Sequence, residues 1–101
     1  MNDKQIDQLN TILNHYGVKA QHKKLTEELM ELKWANVEYH LEPTEETYAH
    51  FVEELADVTI MIEQMKLSMT AEQQALYYST IDYKLNRQIG RIEKERKGEK
   101  E

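Results

Sequence analysis

Pro43 is the only proline in the chain and Gly17 the only glycine before residue 90, so little interrupts the backbone over most of its length. With β-branched residues scattered rather than alternating, such a chain is predicted to form long helices joined by short turns. The interruptions place the helices. Helix 1 is predicted from about Asp3 to Tyr16, with Gly17 as its stop. Helix 2 starts at Val18 or Lys19 and runs to Glu42, where Pro43 breaks it. Thr44 is placed to cap helix 3, which continues to about Ser68. The stretch Thr70-Ala-Glu-Gln73 fits a capping box that opens helix 4, extending to roughly Arg96. The expectation is an all-α fold: a four-helix bundle with long antiparallel helices 2 and 3, forming one domain over residues 1–97 before a frayed polar tail at 98–101.

A chain of 101 residues normally buries one core. It has no cysteine, which rules out disulfides and thiolate metal sites and makes a reducing, cytoplasmic setting the expectation. The opening MNDKQ leads into no apolar segment, and no stretch approaches the roughly 18 apolar residues of a membrane span, so neither an address nor a membrane partner is expected. Net charge is −6 but uneven: residues 84–101 hold seven basic against four acidic residues, a balance of +3 that leaves −9 for the first 83. An acidic chain is poorly suited to nucleic-acid binding driven by phosphate neutralisation. The basic C-terminal stretch still suits a small phosphorylated ligand.

The helical period of about 100° per residue defines the faces. On helix 2, Leu25, Leu29, Leu32 and Asn36 form one stripe and Met30, Trp34, Val37 and Leu41 a second, with Glu28, Glu31, Ala35 and Glu38 between them. Helix 3 sets Phe51, Leu55, Val58, Ile62 and Met65 beside a polar edge of His50, Glu54 and Asp57. Two apolar stripes per helix imply a bundle that uses its second face to associate with another copy, since a monomer leaves Trp34 and its stripe exposed. Trp34 also offers a ring that can stack on a base, although packing is its simpler use.

The acids are doubled. EELMEL at 27–32 and EELADV at 53–58 contain Glu28-x-x-Glu31 and Glu54-x-x-Asp57, each a pair of carboxylates on one helical ridge. One such pair is ordinary on a solvated helix face. Two of them on antiparallel neighbours can converge, and at about 6 Å with an effective dielectric of about 20 each charged pair repels by roughly 3 kcal/mol. Convergence of all four then rivals the stability of a domain, so it requires cations, protonation, or basic side chains from elsewhere. Oxygen ligands alone suit hard ions, Mg²⁺ or Mn²⁺. A carboxylate-bridged di-iron bundle needs Glu-x-x-His twice, and no Glu here has a His three residues later. His15, His22, His40 and His50 are scattered, and His50, one turn before Glu54, is expected to support the acids or stay at the surface.

Helix 4 aligns Lys84, Arg87 and Arg91 on one stripe beside Tyr78, Ile81, Leu85, Ile89 and Ile92. These bases either neutralise the acidic ridge as salt bridges or clamp the outer phosphates of a ligand whose inner phosphate meets metal ions.

The pattern Gln21-x-x-x-Leu25-x-Glu27-Glu28-x-x-Glu31-Leu32 and then Glu53-Glu54-Leu-Ala-Asp57-Val58, with 22 residues between Glu31 and Glu54, resembles the MazG-like family of all-α nucleoside triphosphate pyrophosphohydrolases. The string ADVTIMIEQ and the later Lys84-x-x-Arg87-x-x-x-Arg91 are similar to short, phage-like members, so the resemblance spans roughly residues 15–92. It implies Mg²⁺-dependent hydrolysis of a nucleoside or deoxynucleoside triphosphate to monophosphate and pyrophosphate, a reaction that serves either nucleotide-pool housecleaning or control of the normal pool. By matching position, Glu28, Glu31, Glu54 and Asp57 become metal ligands, and the substrate is held by Lys84, Arg87 and Arg91, with Gln21, Trp34 and Asn86 as further contacts. A homodimer or homotetramer is implied as well. Glu27 and Glu53 lie about 40° beyond Glu31 and Asp57 on their helical wheels, where either can orient or deprotonate the attacking water.

The chain departs from the family in two respects. Asn86, which would match an Asn that reaches the phosphates in some members, sits about 160° around the helix from Lys84. The extra segments of larger homologues are missing, which leaves base and sugar preference open. The competing expectations are a non-catalytic helical interaction module with a salt-bridged acidic ridge, and a nucleotide sensor that keeps the site without the chemistry.

Overall fold

A computed structural model describes residues 1–100, with the side chains of residues 1–98. The described residues form four α-helices and no strand: α1 (Asp3–Tyr16), α2 (Val18–Leu41), α3 (Glu45–Leu67) and α4 (Ala71–Lys100). None is long and apolar enough to cross a membrane. Contacts divide the chain into two compact units, Met1–Ser68 and Met69–Glu101.

Local chemistry sets the helix ends. The Asn2 side chain accepts from the Gln5 amide at 2.8 Å while Gln5 Oε1 accepts from the Asn2 amide at 3.1 Å, a reciprocal cap that starts α1. Gly17 stops α1 at φ 89°, a left-handed value that favours glycine, and its N–H closes onto the Leu13 carbonyl at 2.8 Å. At the proline turn, α2 ends at Leu41, and Thr44 caps α3 by accepting from the Thr47 amide at 3.1 Å. The Thr47 hydroxyl donates to the Glu42 carbonyl at 2.7 Å, which ties the turn to the end of α2. The expected box at Thr70 forms: its hydroxyl accepts from the Gln73 amide at 3.2 Å and Gln73 Oε1 accepts from the Thr70 amide at 2.9 Å.

One boundary differs clearly from expectation. α4 continues through Lys100 instead of ending near Arg96, because the polar, charged residues after Arg96 include good helix formers that interrupt it only with Gly98. Of the tail expected to fray, Glu101 lies outside the described residues.

In the first unit α2 and α3 pack most closely, with α1 against both. Their antiparallel register is marked by Gln21, whose Nε2 donates to Gln64 Oε1 at 2.7 Å, and by Tyr39, whose ring centre is 5.2 Å from that of Tyr48. Along α2 the buried and half-buried positions are Gln21, Leu25, Glu28, Leu32, Ala35 and Tyr39, and along α3 they include Phe51, Glu54, Val58, Met61 and Met65. Both series alternate steps of four and three, the spacing of a coiled-coil seam. Leu9 and Leu13 of α1 complete the core.

This seam corrects the predicted faces. The inward face of α2 runs through the acidic ridge: Ala35 is fully buried and Glu28 is only 7% exposed, with Glu31 and Glu38 exposed at its edge, whereas Leu29, Met30, Trp34 and Leu41 are exposed. On α3, Leu55 and Ile62 are likewise exposed and Met61 and Gln64 are buried in their place. Apolar residues flank the ridge on both sides of α2, so hydrophobicity alone does not choose the inward face. The narrow side chain of Ala35 lets the two helices approach along that ridge.

Candidate functional site

Residues three apart share a ridge, so Glu28 and Glu31 project from successive turns of α2, and Glu54 and Asp57 from successive turns of α3. The antiparallel register brings the pairs level. One carboxylate oxygen from each of the four lies within 4.8 Å of all the others. Glu28 is buried, Glu54 half-buried, and Glu31 and Asp57 exposed, which gives the group one deep end and one end open to solvent. At that separation and an effective dielectric of about 20, each charged pair repels by about 3 kcal/mol.

Two basic side chains of the first unit reach the acids. Lys24 Nζ lies 3.3 Å from Glu28 Oε1 and 3.7 Å from Glu27 Oε2. The hydrogen bond to Glu28 and the charges of Glu28 and Glu27 hold the Lys24 ammonium above its ordinary pKa of 10.5. His50 Nε2 lies 3.5 Å from Glu54 Oε1, and its Nδ1 lies 3.9 Å from Glu38 Oε1 across on α2. These contacts leave Glu28 Oε2 and Glu54 Oε2 buried without a hydrogen-bond partner. A buried carboxylate oxygen in that condition is costly unless a proton or cation meets it. Four oxygen donors, two of them carrying orphaned buried oxygens, have the chemistry that a hard divalent ion requires.

A cleft of about 530 Å³ adjoins the acids, formed by Ile12 and Tyr16 of α1, Gln21 and Glu28 of α2, and Asp57 and Met61 of α3, among others. Lys24 and Glu27 also line it. Its walls are apolar where α1 meets α3 and charged beside the acids, so it offers an amphipathic ligand a hydrophobic end and an ionic end.

The remaining predicted site residues fall in different environments. Glu27 has a half-exposed side chain at the cleft, whereas Glu53 is exposed on α3 and does not line it. Gln21 is buried in its amide pair with Gln64 and reaches the cleft. Trp34 is 62% exposed, with Lys33 Nζ 5.7 Å from its ring centre. Lys84, Asn86, Arg87 and Arg91 all lie exposed on α4 in the second unit, where the Arg87 guanidinium sits 5.7 Å from the Tyr83 ring centre.

Two residues at the site escaped the sequence reading. Lys24 stands four residues before Glu28, as His50 stands four before Glu54, and that repeated offset was a usable signal because such residues share a helix face. Gln64 carried no comparable signal; only the register of α2 against α3 gives it a partner. Neither family models, curated proteins nor solved structures give a match to this chain. What the molecule itself defines is an all-helical chain with a four-carboxylate centre between two antiparallel helices.

Proposed function

We propose that the chain is a MazG-like, Mg²⁺-dependent nucleoside triphosphate pyrophosphohydrolase, converting a nucleoside or deoxynucleoside triphosphate and water to the monophosphate and pyrophosphate. The observation that carries this reading is the convergence of Glu28, Glu31, Glu54 and Asp57 within 4.8 Å, with buried oxygens of Glu28 and Glu54 lacking any protein partner. These four residues hold Mg²⁺, with Mn²⁺ as a substitute. A divalent ion bound there supplies charge neutralisation at the attacked phosphate and a more acidic water.

The chain's own groups do the rest. Water attacks the α-phosphorus, the bond from that phosphorus to the bridging oxygen breaks, and pyrophosphate leaves with the bonding electrons. Glu27 is favoured over Glu53 for orienting the water and taking its proton, because Glu27 borders the cleft beside Glu28. The cleft accepts the nucleoside end of the substrate, and Gln21 supplies amide hydrogen bonding there. The resemblance assigns the departing phosphates to Lys84, Arg87 and Arg91, with Asn86 a weaker contact. The exposed apolar side chains of Met30, Trp34 and Leu41 support association into a homodimer or homotetramer, and the lack of cysteine suits a cytoplasmic setting.

Incubation of the folded protein with each of the common dNTPs and NTPs plus Mg²⁺ is expected to release monophosphate and pyrophosphate from at least one, and chelation by EDTA to stop it. Inactivity toward all of them removes the enzymatic reading. In that case the contacts of Lys24 and His50 with the acids favour a non-catalytic helical module, whose melting temperature stays unchanged on adding millimolar Mg²⁺ or Mn²⁺.

A further inference from the structure

The contact between Lys24 and Glu28 is unlike an ordinary salt bridge along a helix surface. Such pairs join two solvated groups and do little. Here the lysine side chain is 51% exposed while that of Glu28 is 9% exposed, so a mobile surface cation reaches a carboxylate that is almost removed from water. Glu28 divides its oxygens: Oε1 meets Lys24 at 3.3 Å, and Oε2 is buried with no partner. Placed as it is, the ammonium meets one oxygen of Glu28 and none of Glu31, Glu54 or Asp57, which gather with Glu28 within 4.8 Å. It lowers the cost of the cluster without meeting its coordination demand.

A divalent cation placed among the four acids would share Glu28 with that ammonium, and the two like charges would repel at close range. One of them must yield. The lysine is free to do so, because its four-carbon stem is flexible and half in solvent, and because it already lines the cleft beside Glu28.

We propose that Lys24 is the resident counter-ion of the acid centre: it neutralises Glu28 while no divalent cation is bound, competes with such cations for that carboxylate, and withdraws toward the adjoining cleft when one binds. The cation concentration at which the centre fills is thereby set higher than the bare acids would set it, while the metal-free protein avoids the full repulsion of its own carboxylates. This rests on reading the four carboxylates as a cation site, and is independent of the reaction assigned to that site.

The test is calorimetric titration of Mn²⁺ alone into the full chain, for wild type, Lys24→Met and Lys24→Arg, with the metal-free melting temperature of each. Lys24→Met is expected to bind Mn²⁺ about five- to tenfold more tightly, the low end of coupling between interacting sites, and to melt at a lower temperature without metal. Lys24→Arg, which keeps the charge, stays near wild type in both. Unchanged or weaker Mn²⁺ binding by a folded Lys24→Met protein overturns the proposal, since loss of a merely structural contact can only loosen the site. If neither wild type nor Lys24→Met binds Mn²⁺, the cation site itself is overturned and the proposal falls with it. Lys24→Gln, with a polar side chain, repeats the measurement should the methionine variant aggregate.

Discussion

The two halves of the acid centre are built to one plan: a base, an acid four residues later, and a second acid three residues after that, as Lys24, Glu28 and Glu31 on α2 and His50, Glu54 and Asp57 on α3. They are held differently. Glu28 is the more buried and has a permanently charged partner whose ion pairs stay within α2. Glu54 is paired with a histidine that also reaches Glu38 on the opposite helix. The basic partner of the α2 half thus stays on its own helix, whereas that of the α3 half also reaches across to the opposite one. Repetition in sequence has produced two halves that are held unequally.

The largest effect that can break this comparison is on the proposed hydrolysis. Glu28→Gln and Glu54→Gln are each expected to lower kcat on the order of 10²-fold or more, the scale of losing a positioned electrostatic group, with helicity by circular dichroism unchanged. A variant that keeps most of its turnover takes its residue out of the ligand set. Metal binding comes next. Saturation with Mg²⁺ at about 100 times Kd should stabilise the wild type by about 2.7 kcal/mol in urea unfolding, and both variants should lose most of that gain.

Without metal the same two substitutions sharpen the contrast. Each removes one charge from the four crowded carboxylates, so Glu54→Gln is expected to stabilise the metal-free protein by about 3 kcal/mol, the repulsion of one pair. Glu28→Gln should gain less, because it also gives up the attraction of Lys24. Equal gains, measured by urea unfolding in EDTA, would mean that the two bases contribute alike. The smallest effect is in alkali. Lys24 has a folded pKa raised above its ordinary 10.5, chiefly by its hydrogen bond to Glu28. A raised pKa contributes stability that is fully present below the unfolded value and is lost as pH rises through the folded one. Wild type should therefore shed a small increment of stability above pH 10.5 that Lys24→Met never had, visible as converging melting curves of the two proteins.

Much of the candidate site could be read before the fold was known. The spacing of Glu28 from Glu31 and of Glu54 from Asp57 fixes a shared ridge by helix geometry alone, and Pro43 between them makes antiparallel neighbours the natural outcome. The inward face was harder. Leucines and methionines stand on both sides of the α2 ridge, so hydrophobic periodicity gave two defensible stripes and placed the acids at their edge. The Gln21–Gln64 pair was beyond reach, because its meaning depends on a register between residues 43 positions apart.

The sequence by itself determined the helices, their caps at Thr44 and Thr70, and the doubled acidic motif, all of which follow from interactions over three or four residues. Only the tertiary structure decided that Glu28 and Glu54 sit within the seam between α2 and α3, and that one oxygen of each is left there unpartnered. The reason is physical: burial belongs to the surface that packs over a residue, and no residue carries that surface in its own neighbourhood.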